Sequence, residues 1–481
     1  MPDRPLKILF VAAEATPLVK VGGLADVVGA LPKALRALGH DVRILLPAYG
    51  ALDRAAWRMR PLGRPFPVGL GGEPQLGSLL ESEIDGVPIL FAEHGPSFGE
   101  RPTVYTDFVG DADRFVVFQA LTLGALHALD WRPDVVHVHD WHTGLLPRWL
   151  AALRAPGFDF PTVMTVHNLG YQGLVAAWSI GFSGRLLPST PDGLVNFLAE
   201  GLIAADAITT VSPTYAREIL TPGPGHGLDP ILRSRASDVH GILNGLDTDV
   251  FDPRTDPHIA APYDADDLSG KARCKAALQA EAGLAVAPDV PVVAIVARLV
   301  EQKGLDITVE ALPSLLGGRP LQVVVLGTGD PAIETRLQGL AELFPQGFRL
   351  WRRFDPALAQ RLYAGADLFL MPSRFEPCGL GQMIAMRYGT LPVVRATGGL
   401  VDTVPDLDDG PDGVGVRFEP YTARAPAEAL ARAVAAWEDV PRREAAMRRA
   451  MRRDLSWAAS AARYADLYRD TVERRRLAPV G

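Results

Sequence analysis

Short apolar runs alternate with amphipathic stretches along most of this chain. The first two apolar runs lie at 7–13 and 42–46, and the pattern between them predicts an amphipathic helix over about 24–38. The adjacent glycines Gly22 and Gly23 form the turn before that helix. The pattern of the first half predicts strands at 7–13, 42–46, 134–138, 162–166 and 207–211. Alternation of this kind is typical of a parallel sheet that is covered by helices on both faces.

The segment 247–262 is rich in Asp and Pro, interrupts the alternation and is predicted to be a linker. Beyond it the pattern restarts, with predicted strands at 291–297, 321–326, 367–371 and 391–394 and predicted helices at 304–316, 331–343 and 379–388. The sequence therefore predicts an α/β protein with two doubly wound halves. Ligands of open α/β sheets bind outside the carboxyl ends of the strands, so two such edges facing each other predict a deep cleft. The Arg-rich tail, 452–476, contains Trp457 and Tyr464 and is predicted to be a packed amphipathic helix.

Composition narrows the class of protein. An apolar fraction of 48%, a charged fraction of 22% and a net charge of −8 describe an ordinary globular protein without the basic field that nucleic acid or an anionic membrane would require. No stretch approaches the roughly 20 apolar residues of a membrane span, and the N-terminus lacks the features of a secretory signal. Cys274 and Cys378 lie far apart, with no ligand-like spacing to each other or to a His cluster, so we expect no disulfide and no zinc site. Two free cysteines fit a reducing compartment, and we therefore expect a cytoplasmic location.

The segment 373–380 (SRFEPCGL) follows a predicted strand and precedes a predicted helix. It delivers the carboxylate of Glu376 to a strand-to-helix turn, just ahead of backbone N–H groups that favour anions. Such a turn can hold a sugar and its phosphate together. Cys378 lies beside the same helix start and is either a thiol of lowered pKa or a packing residue. Because nothing pairs Cys378 with a base, we exclude nucleophilic catalysis by this thiol.

The segment 20–28 (KVGGLADVV) is a second candidate for binding an anion. Its glycines allow a ligand to approach the backbone closely, the following helix start is electropositive, and Lys20 adds a mobile cation. The segment lacks both the glycine spacing of a dinucleotide site and the ending of a P-loop. A tight turn with a surface lysine is an equally good interpretation of these residues alone.

Histidines follow two predicted strands of the first half. His137, His139 and His142 could be interpreted as a metal cluster, but no carboxylate or thiol spacing completes a ligand set. Alternation along a strand places His137 and His139 on one face, which predicts buried, hydrogen-bonded rings. Asp140 and His167 lie nearer the strand ends and are the better candidates for contact with a substrate.

Two cations, Arg298 and Lys303, follow the first strand of the second half and precede a glycine that opens a helix. A diphosphate leaving group would require this arrangement, because without a metal these cations would neutralise the charge that develops as a sugar–phosphate bond breaks. Either residue alone would be interpreted as an exposed surface cation. Phe354 follows another strand and could stack on a nucleobase or simply belong to the core, and Asn244 lies where the first half ends.

Taken together, these segments resemble the bacterial glycogen synthases and plant starch synthases, retaining glucosyltransferases of the GT-B fold. The resemblance spans nearly the whole chain and rests on KVGGLADVV at 20–28, HDWHTGLLP at 139–147, HNLGYQG at 167–173, TTVSPTYAREI at 209–219, NGLD at 244–247, RLVEQKGLD at 298–306 and SRFEPCG at 373–379. It implies a Rossmann-like acceptor and catalytic domain at 1–246, a Rossmann-like nucleotide-sugar domain at 247–455, and a closing helix at 456–481 that packs back on the first domain.

The resemblance implies transfer of glucose from ADP-glucose to the non-reducing 4-hydroxyl of an α-1,4-glucan, with the anomeric configuration kept and without a cofactor or metal. Arg298 and Lys303 are then expected to grip the diphosphate, Glu376 to hydrogen-bond the glucose, His167 to contact it near the anomeric carbon, and Asp140 to lie on the acceptor side. Phe354 stands where the family commonly has a Tyr that stacks on adenine. The remaining residues expected to bind the donor are Lys20, Gly22, Gly23, Asn244, Cys378, Gly379 and Leu380.

Retention usually suggests a carboxylate nucleophile, but the residue expected at the anomeric carbon is a histidine, so we favour front-face displacement through an oxocarbenium-like state. Three positions depart from the family pattern: Gly381 lacks a hydroxyl, Ala199 replaces a Lys, and Val21 replaces a Thr or Pro. The alternatives are a retaining enzyme of the maltose-1-phosphate synthase type and an inactive glucan-binding scaffold.

Overall fold

The computed structural model describes residues 4–69, 75–101, 103–153, 158–180 and 192–477. The chain divides into two compact units. Unit 1 contains Met1–Val211, Ala216–Gly245 and Trp457–Gly481, and unit 2 contains Ser212–Tyr215 and Leu246–Ser456. Within the described part of the chain, no helix has the length and apolar character needed to cross a bilayer.

Unit 1 is built on a mixed sheet that has nine strands among its described residues, in the order β11-β10-β7-β6-β1-β2-β5-β4-β3. The strands of unit 1 are β1 Lys7–Val11, β2 Asp41–Pro47, β3 Arg60–Val68, β4 Gln75–Ile84, β5 Val87–Glu93, β6 Val135–His139, β7 Thr162–Val166, β8 Leu174–Ala176, β9 Leu194–Asn196, β10 Ala207–Thr210 and β11 Val239–Gly241. β8 and β9 form a separate antiparallel pair. The five predicted strands, β1, β2, β6, β7 and β10, form a parallel sheet as predicted. β5 and β11, which were not predicted, extend it in parallel at either side.

The antiparallel edge made by β3 and β4 was not predicted from the sequence. β3 contains three internal prolines and is mostly exposed, so it shows neither the apolar run nor the alternation that marks a strand. An edge strand tolerates proline because one row of its backbone N–H groups needs no ladder partner. Pairing with β4, which lies far from the central strands, therefore decides the structure here.

The helices of unit 1 that precede the second unit are α1 Gly23–Ala37, α2 Phe108–Ala128, α3 Leu146–Ala152, α4 Phe197–Ala204, α5 Pro213–Glu218, which begins in the short segment of unit 2, and α6 Asp229–Ser234. The βαβ unit of β1, α1 and β2 matches the predicted bounds to within two residues. Asp107 caps α2 by accepting from Gly110 N, and Asn196 caps α4 by accepting from Ala199 N.

Unit 2 is built on a parallel sheet in the order β14-β13-β12-β15-β16-β17. Its strands are β12 Val292–Val296, β13 Gln322–Leu326, β14 Phe348–Trp351, β15 Leu368–Met371, β16 Leu391–Arg395 and β17 Val416–Phe418. Its helices are α7 Ser269–Glu281, α8 Leu305–Leu316, α9 Pro331–Leu343, α10 Pro356–Gly365, α11 Gly381–Arg387, α12 Gly399–Thr403, α13 Arg424–Glu438 and α14 Val440–Arg452. This strand order is that of a doubly wound fold, as predicted.

The segment 247–262 contains no described helix or strand, but it packs into unit 2 rather than hanging free between domains. The carboxylate of Asp252 is buried and lies 2.9 Å from Arg387. The hydroxyl of Tyr388 donates to Asp256 over 2.6 Å. The Asp residues that suggested a linker therefore anchor the segment, a role that only the tertiary contacts reveal.

The last helix, α15 Trp457–Leu477, belongs to unit 1. Trp457, Tyr464 and Tyr468 are buried on it, which confirms the prediction that the Arg-rich tail is a packed helix. The hydroxyl of Tyr468 lies 2.7 Å from Nδ1 of His137, so this helix reaches the central strands of the sheet. Its arginines remain toward solvent or pair with carboxylates, as Arg475 does with Asp206.

We expect Gly304→Ala to destabilise unit 2 by about 2–4 kcal/mol, because the residue has a left-handed backbone and sits against a neighbouring strand end. Its φ is +72°, and a Cβ built there would lie 2.0 Å from the carbonyl oxygen of Pro372. Thermal unfolding of the purified variant measures the effect.

Gly339→Ala is the matched control, because no described atom lies within 4 Å of its Cβ position inside α9. The same substitution there should stabilise by about 0.5–1 kcal/mol, since alanine is the better helix former. Equal midpoints for the two variants would contradict the role given to Gly304.

Candidate functional site

The two central strands of unit 2, β12 and β15, are neighbours whose connections leave in opposite directions. The carboxyl ends of such a strand pair form the topological switch point, where doubly wound folds bind ligands. Lys303 follows β12, and Glu376 follows β15. The structure brings them together, with Lys303 Nζ 2.6 Å from Glu376 Oε2.

The carboxylate of Glu376 is held in a fixed orientation. Its Oε2 accepts hydrogen bonds from Lys303 and from the hydroxyl of Ser373, at 2.6 and 2.9 Å. The Glu376 side chain is 6% exposed, whereas that of Lys303 is 20% exposed. Because Lys303 is paired and largely buried, the surface-cation interpretation is wrong for this residue. Arg298 is exposed, and its nearest partner is Oε1 of Gln302 at 3.5 Å.

A third loop supports Glu376, and sequence reasoning missed it. Gly399 N donates to the carbonyl oxygens of Glu376 and Pro377, at 3.1 and 3.2 Å. A Cβ on Gly398 would lie 1.9 Å from the carbonyl oxygen of Glu376. Only glycine permits this approach. The sequence does contain a sign of this loop, because Gly398 and Gly399 form a pair of glycines after a strand, as Gly22 and Gly23 do.

The residues after Glu376 turn into helix α11, which begins at Gly381, two residues later than predicted. Cys378 is 4% exposed, so the packing interpretation fits its side chain. Gly379 has a φ of +75°, and Leu380 is the residue before the helix. A Cβ built on Gly381 would lie 3.0 Å from the Phe369 ring, so this position leaves little room for a side chain. Glycine, which here also lacks the hydroxyl noted from the sequence, fits this close contact.

Phe354 lies between β14 and α10 and is 81% exposed. The core interpretation of this ring is therefore wrong. Asp355, the next residue, caps α10 by accepting from Leu358 N over 2.9 Å. The capped helix start presents the Phe354 ring to solvent, where it can stack on a planar ligand.

In unit 1 the switch point lies between β1 and β6, and the candidate residues Lys20 and Asp140 follow these strands. Lys20 Nζ is 2.6 Å from Asp26 Oδ1, at an exposed position. No described atom lies within 4 Å of a Cβ built on Gly22 or Gly23, so a ligand can approach this side of the turn. Val21, the departure after Lys20, is 57% exposed.

A carboxylate that sequence reasoning missed already occupies part of this turn. Oε2 of Glu14 accepts from the backbone N–H groups of Val21 and Gly22, at 2.6 and 2.9 Å. Oε1 accepts from the hydroxyl of Tyr105 over 2.5 Å. These two backbone N–H groups are therefore already hydrogen-bonded to a side chain of unit 1. The sequence offered one signal for this role, an acidic residue three positions after the end of β1.

Asp140 is 8% exposed and follows β6 directly. Its Oδ1 accepts from the backbone N–H of His167 over 2.7 Å, so the structure brings these two predicted residues together. Burial raises the pKa of Asp140 to about 7, against the lowering effect of backbone hydrogen bonds from His167 and Asn168. The backbone of Asp140 has φ 55° and ψ −170°, a region that glycine normally occupies.

The histidines form a stack of rings rather than a metal cage. His137 and His139 are fully buried on one face of β6, with ring centroids 4.2 Å apart, as the strand alternation predicts. His139 Nδ1 lies 3.0 Å from His167 Nε2. Burial lowers the pKa of His167 to about 3 and that of His142 to about 3. Among the described residues, no group of three or more His, Cys, Asp or Glu side chains is arranged to hold a metal ion.

Two further predicted positions lie near these elements of unit 1. Asn244 is 6% exposed after β11, and its Oδ1 has no hydrogen-bond partner in the described part of the chain. An unpaired buried amide oxygen is costly and is therefore a reasonable ligand contact. Ala199 lies in the first turn of α4, where its backbone N–H is capped by Asn196. The loss of a lysine side chain at this position leaves the helix start intact.

We expect Asp140→Gly to be more stable than Asp140→Ala by about 1–3 kcal/mol, because glycine adopts this backbone conformation without strain and alanine does not. Both variants remove the carboxylate, so the difference between their free energies of unfolding reports the backbone strain at this position. Thermal unfolding measures it, and an alanine variant as stable as the glycine variant would contradict strain at this residue.

The raised pKa of Asp140 predicts a pH dependence. In the folded protein this carboxyl keeps its proton up to about pH 7, whereas the unfolded chain releases it near the ordinary value of 3.8. Its contribution is therefore fully present below about pH 4 and is lost as the pH rises through about 7. Relative to Asp140→Asn, the wild type should lose thermal stability between about pH 4 and about pH 8. A constant difference in unfolding midpoint across that range would show that burial does not shift this group.

Comparison with known proteins assigns the chain to a family. A family model described as "Starch synthase catalytic domain" matches residues 7–234, and one described as "Glycosyl transferases group 1" matches residues 290–436. The chain is 48% identical to a glycogen synthase of Anaeromyxobacter sp. (strain Fw109-5), over 96% of this chain and 99% of that protein. It is 44% identical to glycogen synthase 2 of Geobacter sulfurreducens, over 98% of this chain and 100% of that protein.

The solved structures agree with the sequence relatives. The catalytic domain of starch synthase IV from Arabidopsis thaliana, bound to ADP and acarbose, superposes with a TM-score of 0.91 at 36% identity, covering 98% of this chain and 100% of that one. Identity at this level over nearly the full length, together with the same fold, confirms the resemblance drawn from the sequence motifs. The chain belongs to the glycogen synthase and starch synthase family of glycosyltransferases.

Proposed function

We propose that this protein transfers glucose from ADP-glucose to the non-reducing 4-hydroxyl of an α-1,4-glucan, with retention of configuration. The observation that carries the proposal is the Lys303–Glu376 pair at the switch point of unit 2, where a cation and an oriented carboxylate stand together. The relatives named glycogen synthase support the acceptor class. The ADP and acarbose bound to starch synthase IV support an adenine nucleotide and a glucan-like ligand.

In this proposal unit 2 binds the donor. An ammonium group has three N–H donors, so Lys303 can keep its bond to Glu376 and still donate to a phosphate oxygen. Exposed Arg298 supplies a second cation for the diphosphate. Glu376, held by Lys303 and Ser373, accepts from glucose hydroxyls. Phe354 stacks on adenine, and the backbone around Cys378, Gly379 and Leu380 lies against the phosphates.

Unit 1 supplies the contacts to the transferred sugar and the acceptor. His167 is neutral and lies against the glucose, with its backbone held by Asp140. Lys20, with the open face of Gly22 and Gly23, approaches the donor phosphates and sugar. Asn244 offers its unpaired amide oxygen to the donor. We accordingly assign 1–246 to acceptor binding and catalysis and 247–455 to the nucleotide-sugar, with no metal or other cofactor required.

The geometry favours displacement without a covalent intermediate. Each candidate carboxylate is already engaged: Glu376 by an ammonium group and a hydroxyl, and Asp140 by a backbone N–H. In this proposal both carboxylates position neighbouring groups, and neither attacks the anomeric carbon. In the proposed step the bond between the anomeric carbon and the phosphate oxygen breaks as the acceptor oxygen bonds to that carbon on the same face. The acceptor proton passes to the departing phosphate, and Arg298 and Lys303 stabilise its charge.

The decisive experiment supplies purified protein with glycogen and either labelled ADP-glucose or labelled UDP-glucose, and follows label in polymer and free nucleotide. We expect polymer growth with ADP-glucose. The proposed enzyme is cytoplasmic and needs neither nucleic acid nor a membrane for this activity. Nucleotide release that requires glucose 1-phosphate, without polymer growth, would favour the small-acceptor alternative. Glucan binding without nucleotide release would favour an inactive scaffold.

Glu376→Ala and Lys303→Ala should each lower the rate of glucose transfer on the order of a hundredfold or more, the cost of losing one preorganised transition-state contact. Steady-state transfer to glycogen measures the effect. Glu310→Ala is the matched control, because it removes a carboxylate of the same unit that is 60% exposed and paired with Arg336 over 3.3 Å. Near-wild-type rates in both site variants would contradict the assignment.

A further inference from the structure

We infer that His139 is a positioning residue, which donates its Nδ1–H to Nε2 of His167 and fixes His167 as the neutral tautomer with its proton on Nδ1. This inference rests on the proposed function in one respect, the contact between His167 and the transferred glucose. The juxtaposition that carries it is the 3.0 Å contact between the two ring nitrogens. The direction of the hydrogen bond across that contact follows from the surroundings of His139.

Two directions are possible between a pair of neutral imidazoles, because only one proton lies between the nitrogens. If His167 donated from Nε2, His139 would carry its own proton on its Nε2. That atom is buried and has no hydrogen-bond partner among the described residues. An orphaned buried N–H loses its hydration without compensation. If His139 donates from Nδ1, its buried Nε2 carries only a lone pair, and no donor is left unpaired.

Both rings are neutral at ordinary pH, so the argument from a single shared proton applies. Burial lowers the pKa of His139 far below its ordinary value, and neighbouring His137 and His167 lower it further. Burial lowers the pKa of His167 to about 3. A protonated pair would have to hold a positive charge inside the stack of rings, against the central strands of the sheet.

His139 is held firmly enough to impose this choice. Its backbone N–H donates to the hydroxyl of Thr143 over 2.7 Å, and that hydroxyl donates to the carbonyl oxygen of His139 over 2.9 Å. Its ring stacks on Phe10, with centroids 5.3 Å apart, and on His137, with centroids 4.2 Å apart. The side chain is fully buried. A ring packed in this way keeps Nδ1 directed toward His167.

His167 is consequently anchored at two points. Asp140 holds its backbone N–H over 2.7 Å, and His139 holds its ring at Nε2 over 3.0 Å. The remaining ring nitrogen, Nδ1, then carries the proton and acts as a hydrogen-bond donor. A neutral donor suits an oxygen acceptor such as a sugar hydroxyl, and it does not act as an acid toward the departing phosphate. His139 thereby determines which kind of sugar atom His167 recognises.

The test is a two-bond 1H–15N correlation spectrum of protein labelled at histidine, recorded without substrate, with the His167 signal identified by its loss in His167→Gln. We expect the wild type to show His167 protonated on Nδ1. His139→Leu removes the Nδ1–H group that donates to His167, so the proton of His167 should move toward Nε2. Transfer of glucose from ADP-glucose to glycogen should fall on the order of tenfold to a hundredfold, the range that follows loss of a partner that orients a metal-binding histidine.

His139→Asn is the conservative variant, because its amide can donate from near the position of Nδ1, and it should restore part of the transfer rate and the Nδ1 signal. Tyr468→Phe is the control, since it removes one hydroxyl from the same buried cluster, 2.7 Å from His137, without touching the His139–His167 contact. It should lower thermal stability, leave the His167 signal unchanged and change the transfer rate by no more than about twofold.

A wild-type spectrum with the His167 proton on Nε2 would overturn the inference, as would a folded His139→Leu protein that keeps it on Nδ1. If His139→Leu does not fold, the wild-type and His139→Asn spectra still decide the tautomer. Because the spectra need no substrate, this result is separate from the proposed function. A wild type that transfers no glucose but shows the Nδ1 signal would refute the function and leave the tautomer assignment standing.

Discussion

The geometry at the centre of each sheet, where neighbouring strands are parallel, is the constraint on which the rest of this structure depends. Where two adjacent strands send their connections in opposite directions, no crossover covers their carboxyl ends, and the loops there can converge. In unit 1 these strands are β1 and β6, and in unit 2 they are β12 and β15. Lys20, Asp140, Lys303 and Glu376 all follow one of these four strands. The topology thus collects residues that are far apart along the chain.

Carboxylates at these strand ends serve chiefly to position other groups. Glu376 holds Lys303, Glu14 holds the backbone of the turn at Val21 and Gly22, and Asp140 holds the backbone of His167. Each of these carboxylates is mostly buried, so removing its partner would leave an unpaired buried group and lower the free energy of unfolding. These three carboxylates thus hold part of the candidate site in place before a ligand binds. That rigidity suits the proposed reaction, in which orientation and charge act without a protein nucleophile.

Unit 1 adds a buried polar core behind its strand ends. Tyr468 from the last helix bonds to His137, His137 bonds to Thr165, and His139 meets His167. The rings are neutral because burial disfavours their charged forms. The end of the chain therefore supports the same strands that present Asp140. The arginine-rich composition of α15 conceals this contribution, since its buried face depends on three aromatic residues.

The sequence alone determined the alternation of strands and helices, the family, and most of the residues at the strand ends, because apolar periodicity and the local motifs are short-range signals. It did not reveal β3, because an edge strand with prolines carries no pattern of its own, nor the anchoring of 247–262 by Asp252 and Asp256. It placed Glu376 and Lys303 in separate motifs. Only the tertiary structure decided that they form one pair, that Glu14 fills the Val21–Gly22 turn, and that Phe354 is exposed. Those outcomes depend on contacts between distant segments, which no local pattern of residues records.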